Sequence, residues 1–350
     1  MPNGNPWMNL GPREIVPRLG PIPSAPNERP MARSVLFALL LCLGCQTPSA
    51  PRAPEREPYV LVLGSAQDGG LPQIGCQGAN CRAAHADPSR ARMVSSLLLV
   101  DPRSGKRWLF DATPDLPRQV RAMAGHPASR QLPGARPPLV DGIFLTHAHM
   151  GHYTGLSFLG PEVYGAKQMP TYCTPQMASY LTRNGPWSLL VEREILQLRS
   201  ITPGEPVRLA EDLVVRALNV PHRKEFSDTL AFIIEGPKRS LLFLPDIDKW
   251  ERWETPIESV IAEVDVALLD ASFFGPGEIP GRDLSEIPHP FIVESLARFA
   301  ALPASERAKI HFTHLNHSNP ACDPSSPAAG QVRAAGMQVA RDGMLHPLGD

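Results

Sequence analysis

Thr146-His-Ala-His-Met-Gly-His152 is the stretch that decides the fold. It continues Gly142-Ile-Phe-Leu-Thr146, a short apolar run that reads as a strand. Side chains two apart on an extended chain share a side, so His147 and His149 face one way, and a turn at Gly151 swings His152 toward the same point. Three imidazoles converging at a strand end are a transition-metal signal.

Working outward, Val220-Pro-His222, Leu244-Pro-Asp246 and Phe312-Thr-His314 repeat the theme, each placing a candidate ligand where an apolar strand closes. Further strands are predicted at Tyr59–Leu63, Ser95–Val100, Trp108–Phe110, Leu213–Ala217, Leu230–Ile234, Leu241–Leu244 and Val266–Leu269. Helical patterns fall at Gln176–Thr182, Pro256–Glu263 and Pro290–Leu302. Strands outnumber helices and arrive in runs, so a mixed sheet sandwich flanked by helices fits better than an alternating barrel.

From about Tyr59 onward this ordered series resembles the metallo-β-lactamase superfamily, whose pattern is HxHxDH followed by a distant His, a bridging Asp and a last His. Leu63-Gly-Ser-Ala-Gln-Asp-Gly-Gly-Leu-Pro-Gln73, the nearby cysteines and Thr313-His-Leu-Asn-His-Ser-Asn-Pro320 look most like the coenzyme PQQ synthesis protein B group and its phosphodiesterase relatives. The resemblance implies an α/β (α+β) four-layer αββα sandwich over residues 59–350. Carried over, it implies that His147, His149 and His222 hold one metal, that His152 and His314 hold a second, and that Asp246 bridges them. Asp111 matches a family Asp that orients the histidine loop; on sequence alone it reads equally as a strand-end turn residue.

The chain departs from that pattern at Gly151, where the family has an Asp that ligates the second metal. His152, Asp246 and His314 still supply three protein ligands, the number common in catalytic zinc sites, and either one or two ions are compatible. If the metal is zinc, its Lewis acidity brings the pKa of a water on it to about 7, suited to attack on an ester, thioester, lactone or phosphoester. His289, in Glu286-Ile-Pro-His-Pro290, lies where ribonuclease-Z-like relatives have a Gly-His motif and is a candidate proton donor beside Asp246; the alternative is a surface-loop histidine. Asp270 is a candidate for supporting the ligands, whereas Asp248 reads as a loop residue. Met150, Tyr153, Phe158 and Trp187 read more readily as core than as a pocket mouth. Cys76 and Cys81 could clamp a structural zinc, although relatives have a third Cys where this chain has Gly78. His85, His317 or Cys322 would complete that shell, and a disulfide from Cys76 to Cys81 or to Cys322 is the other reading. Cys173 reads as a buried small hydrophobe.

The chain has 350 residues, a formal charge of -1 and 43% apolar residues, enough for a large packed core. Its scattered basic residues lack the electropositive footprint that nucleic acid requires, so a small-molecule substrate is expected. Residues 1–30 show no hydrophobic periodicity and read as a non-native or disordered extension. Residues 31–45 read as a signal peptide starting at Met31, whose apolar run of about ten residues is roughly half a bilayer span. It ends in Leu41-Cys-Leu-Gly-Cys45, which resembles a lipoprotein cleavage box with Cys45 as the lipidated residue, though Cys42 stands where that box usually has Leu. Residues 46–58 then form a Pro-rich tether. The expected location is exported, periplasmic or membrane-anchored, with the membrane touched only through the lipid.

Three functions compete at this level. The first is a metal-dependent hydrolase with zinc. The second is an iron-dependent oxidase or oxygenase related to quinone cofactor biosynthesis, because His with carboxylate also suits iron. The third is a lipid-anchored binding protein that lost catalysis with the Asp at position 151, in which Gly151→Asp should raise metal occupancy.

Overall fold

The computed structural model describes residues 53–54, 56–124, 126, 139–279, 281, 283 and 287–349. The expected extension, the signal peptide, Cys45 and most of the tether lie outside them. The first sheet contains β1 (Tyr59–Gly64), β2 (Ser96–Asp101), β3 (Lys106–Phe110), β4 (Gly142–Phe144), β5 (Met169–Cys173) and β6 (Leu196–Ser200). The second contains β7 (Pro206–Ala210), β8 (Leu213–Val220), β9 (Thr229–Glu235), β10 (Ser240–Leu244), β11 (Val266–Asp270), β12 (Ile310–Thr313) and β13 (Gln338–Val339). A last strand, β14 (Leu345–Pro347), returns to pair with β1, so both sheets have seven strands.

Period-two patterning makes the layers. In β1, Val60 and Val62 enter the core between the sheets, while Tyr59, Leu61 and Leu63 face the helices. In β10, Leu241 and Phe243 point inward while Leu242 and Leu244 point outward. The outer face of the first sheet is covered by helices Leu116–Met123, Pro175–Arg183 and Trp187–Glu192. That of the second is covered by Ile257–Ala262, Ile292–Phe299 and Pro327–Ala334. Three apolar layers between four structural ones make the αββα sandwich that the resemblance implied. Beneath the histidine loop, Phe144 stacks on Phe110 at 4.9 Å and on Tyr172 at 4.4 Å, with Phe232 edge-on at 5.6 Å. Such rings contribute about 1.5–3 kcal/mol each when fully buried, which fixes the platform under the loop.

The strand directions explain why distant residues meet. Within the first sheet β1 is antiparallel to β2 and β2 to β3, so β1 runs with β3, which is parallel to β4. By the same reasoning β8 runs with β10, which is parallel to β11, itself parallel to β12. Asp68 follows β1, Asp111 follows β3, His147 follows β4, His222 follows β8, Asp246 follows β10, Asp270 ends β11 and His314 follows β12. The carboxyl ends of parallel strands open onto one edge, where α/β sheets commonly place their chemistry. Beyond the predicted elements the structure adds β5, β6, β7, β13, β14 and several short helices.

Candidate metal centre

At that edge the two sheets are stitched by backbone bonds, Leu230 N–H donating to Thr146 O at 3.0 Å and Gln67 N–H to Leu315 O at 2.9 Å. Around the seam His147 Nε2 lies 3.2 Å from Asp246 Oδ2, His222 Nε2 3.3 Å from Asp246 Oδ1, and His222 Nε2 3.3 Å from His149 Nδ1. On the other side of Asp246, His152 Nε2 lies 3.6 Å from Asp246 Oδ2. Two donors on one tetrahedral ion with bonds of about 2.0–2.1 Å sit roughly 3.4 Å apart, so these spacings are those of shared ligation.

The other nitrogen of each imidazole is held. His147 Nδ1 meets the Thr146 hydroxyl at 3.0 Å, His152 Nδ1 meets Asp111 Oδ2 at 2.7 Å, and His222 Nδ1 meets Asp248 Oδ1 at 3.1 Å. His314 Nδ1 meets Ser272 Oγ at 3.0 Å, and His149, whose Nδ1 faces His222 Nε2, is held at Nε2 by Glu225 Oε2 at 3.0 Å. Such partners fix ring orientation and tautomer and raise ligand basicity. Asp111 ties the histidine loop together: fully buried, with φ of 64°, it also accepts from Thr146 N–H at 2.8 Å and Thr146 O–H at 2.9 Å.

The residues present fit a metal ion. Buried His147 Nε2, His152 Nε2, His314 Nε2 and Asp246 Oδ1 make no hydrogen bond, as does Asp68 Oδ1. Leaving so many buried polar atoms unpaired would cost about 1–3 kcal/mol each unless something binds them. The field has the matching sign. Burial holds His147 and His149 below the ordinary histidine range, as ligating imidazoles require. Burial also acts to lower His152, but Asp111, Asp68 and Asp246 prevail and raise it to about 9, so positive charge is favoured where a cation would sit. For Asp246, burial is outweighed by His222, His289 and His314, which hold it well below the usual carboxylate range.

The structure corrects several sequence readings. Asp248 is not a bystander in a loop but holds His222. Of the two readings of His289, the surface-loop alternative fails: the residue is 6% exposed, with Nδ1 2.7 Å from Asp270 Oδ2 and 3.2 Å from Asp246 Oδ1. Burial lowers its pKa, Asp270 and Asp246 raise it, and the outcome is about 9. Asp270 in turn accepts from Ile247 N–H and from the Ser272 hydroxyl, binding three of the loops together. Neither disulfide forms, because Cys76, Cys81, Cys173 and Cys322 are free. Instead His317 Nδ1 lies 3.2 Å from Cys76 Sγ and 3.5 Å from Cys81 Sγ, while His85 is exposed and the Cys322 thiol faces Asn316 O. Cys173 is buried, which pushes its thiol up to about 12.

Sequence reasoning missed Asp68, Glu225, Tyr180 and Phe226 beside the site; Tyr153, Phe158 and Trp187 pack in or against the core as expected, whereas Met150, also read as core, is exposed. Tyr153 is buried against Trp187 at 4.7 Å and shares a hydrogen bond of 2.7 Å with the Tyr180 hydroxyl, whose ring packs on Phe226 at 5.1 Å. Phe226 is 55% exposed and adjoins Glu225, as exposed Met150 adjoins His149. No signal marked Glu225 or Phe226, since they sit in an irregular loop without periodicity.

A sandwich of this topology with a histidine and carboxylate cluster at its open edge defines a metallo-β-lactamase-fold metalloprotein. The family model for the β-lactamase superfamily domain matches residues 106–312, more than half of the chain, and the protein belongs to that family. It is most readily compared with coenzyme PQQ synthesis protein B. The protein of that name from Methylorubrum extorquens (strain PA1) is 26% identical over 313 residues, 83% of this chain and 100% of the relative. The one from Klebsiella pneumoniae (strain 342) is 28% identical over 320 residues, with 83% and 99% covered. Among solved structures, zinc-bound PqqB from Methylobacterium extorquens superposes with a TM-score of 0.69 at 23% identity, covering 82% of this chain and 99% of that one. A diphosphatase of the PhnP family gives a TM-score of 0.59 at 21% identity, covering 83% and 97%.

Proposed function

We propose that this protein is a metal-dependent hydrolase of a small ester, thioester, lactone or phosphoester. The observation that carries the reading is the set of buried, unpaired donor atoms from both sheets converging on Asp246, each imidazole held through its opposite nitrogen. His147, His149 and His222 with Asp246 would hold one ion, while His152 and His314 would join Asp246 around a second. Zinc bound there supplies Lewis acidity and water activated at neutral pH. Asp246, touching both groups of histidines, sets the spacing of the site and balances its charge. His289, braced by Asp270, is placed to pass a proton to a leaving-group oxygen. Phe226 and Tyr180 offer a face for an apolar part of the substrate. The membrane is reached only through the lipid on Cys45 in an exported protein.

An iron-dependent oxidation is the second reading, favoured by a donor set of nitrogen and oxygen without thiolate and by similarity to a PQQ synthesis protein. The test is elemental analysis together with hydrolysis of ester and phosphodiester panels, comparing wild type with His147→Ala, His149→Ala. Zinc and turnover lost together support the hydrolase. Iron in the purified protein, with oxygen consumed, moves the assignment to the oxidase, and turnover unchanged in the variant refutes a metal mechanism.

A further inference from the structure

Gly151 stands where the family has a ligating Asp, yet the space it leaves is filled. A Cβ built on Gly151 would lie 2.0 Å from Asp68 Oδ1, 2.9 Å from its Cγ and 2.8 Å from its Cα. Another carboxylate, from another loop, thus occupies the volume a side chain at 151 would need. Asp68 Oδ1 is buried, makes no hydrogen bond and lies 3.6 Å from His152 Nε2, itself unpaired. Asp68, His152 and His314 offer ligand atoms all within 4.8 Å of one another.

The backbone builds this placement. Leu315 N–H donates to Ser65 O at 3.0 Å and Gln67 N–H donates to Leu315 O at 2.9 Å, locking the segment after β1 alongside the residue that follows His314. The turn closes with Gly70 N–H donating to Gln67 O at 2.8 Å, Gly70 having a φ of 69° that favours glycine. Asp68 lies inside that turn, and its carboxylate reaches His152 Nε2 at 3.6 Å, the same distance at which Asp246 stands from that nitrogen.

We propose that Asp68 is a ligand of the second metal ion, with His152, His314 and the shared Asp246, and that Gly151 is the complementary opening through which it reaches. The carboxylate has moved from the histidine loop to the loop after β1, and the charge and donor count of the site are kept. Gly151 is then a requirement of the site rather than a sign of its decay. Gly151→Asp, expected from sequence to raise occupancy, would instead collide with the ligand already there.

The inference rests on the metal-centre reading above, and the experiment separates the two. Zinc is titrated into the chelator-stripped full chain by competition with a chromophoric chelator, and bound zinc is counted by elemental analysis, for wild type, Asp68→Ala and isosteric Asp68→Asn. Melting of each apoprotein identifies which variant is folded, and that variant decides. Asp68 variants are expected to hold one zinc equivalent fewer than wild type, or to bind it at least about 100-fold more weakly, beyond the usual cost of losing a ligand's neighbour. The equivalent lost in His147→Ala, His149→Ala should stay at its wild-type affinity in the Asp68 variants. The same stoichiometry and affinities in wild type and Asp68 variants overturn the assignment while leaving the metal centre standing. Loss of every equivalent at once also overturns it, because Asp68 would then support the whole site. A wild type that binds no zinc brings down the metal-centre reading itself.

Discussion

Asp111→Asn exchanges one oxygen for an NH2 group at constant shape, and the hydrogen-bond geometry dictates the consequence. In the native site Asp111 Oδ1 accepts from Thr146 N–H at 2.8 Å, while Oδ2 takes both the Thr146 hydroxyl at 2.9 Å and His152 Nδ1–H at 2.7 Å. Asparagine can keep the first bond only by placing its NH2 where Oδ2 was, and the Thr146 hydroxyl can rotate to accept from it. His152 must then present a bare Nδ1, so its proton moves to Nε2, the atom 3.6 Å from both Asp68 and Asp246. A ligand nitrogen has become a donor aimed into the metal site. Replacing such an orienting partner weakens metal binding about 10–100-fold, equivalent to roughly 1.4–2.8 kcal/mol. The assay is competition for zinc against a chelator of known affinity, with Asp248→Asn as companion, since Asp248 holds His222 in the other group. Asp111→Asn should weaken the ion at His152, and Asp248→Asn the ion at His147, His149 and His222. Unchanged zinc affinities in a folded Asp111→Asn protein would refute the claim that Asp111 acts by setting the His152 tautomer.

Two further outcomes are expected away from the ligands. His311 and His346 pack at 5.1 Å between centroids, and burial, joined for His311 by the charge of His346, lowers both to about 4. A histidine whose folded pKa is depressed stabilises nothing extra above its unfolded value near 6.5, but the unfolded chain takes up its proton first as pH falls, so folding free energy is lost between about 6.5 and 4. The loss is up to roughly 3 kcal/mol per ring, and His346→Leu should flatten the acid limb of apoprotein melting; an acid limb as steep as wild type would count against it. For the leader, palmitate labelling of protein expressed from Met31 should vanish in Cys45→Ala, and label that persists there would remove the lipoprotein assignment.

The strands that carry the site were legible because each is an apolar run closed by a chemistry-bearing residue: Phe144 leads into Thr146 and His147, Leu244 into Asp246, Phe312 into His314. Buried strands between two layers must be apolar on both faces, so they stand out from the surrounding loops. The remaining strands were less distinct. β6 and β7 have half-exposed patterns, with Arg199 and Arg208 interrupting them, and the predicted helix at residues 290–302 shrinks to Ile292–Phe299 because Pro290 and Pro303 bracket its ends. Asp248, Glu225 and Asp68 could not be found from spacing. Each lies in a turn with no periodicity, and its role exists only through a residue far away in sequence.

The case of Asp68 shows what kind of information a motif leaves out. A motif fixes a ligand by its place along one loop, whereas a metal ion senses only the position and charge of the donor atom. In this fold the loops after β1, β4, β8, β10 and β12 open onto one edge, so the same point in space can be reached from more than one of them. Moving a carboxylate between loops then needs two coupled changes: an acidic residue in the new loop, and removal of the old side chain to free its volume. Asp68 and Gly151 are such a pair, and neither makes sense singly. A glycine alone at 151 would leave His152 and His314 with only the shared carboxylate of Asp246, and an aspartate alone at 68 would meet any Cβ at 151 within 3 Å of its own backbone. Asp68 and Asp246 then face the second ion from the Nε2 side of His152 while Asp111 holds its Nδ1, and the three carboxylates around that ring supply the negative charge a divalent cation needs in a site this dry.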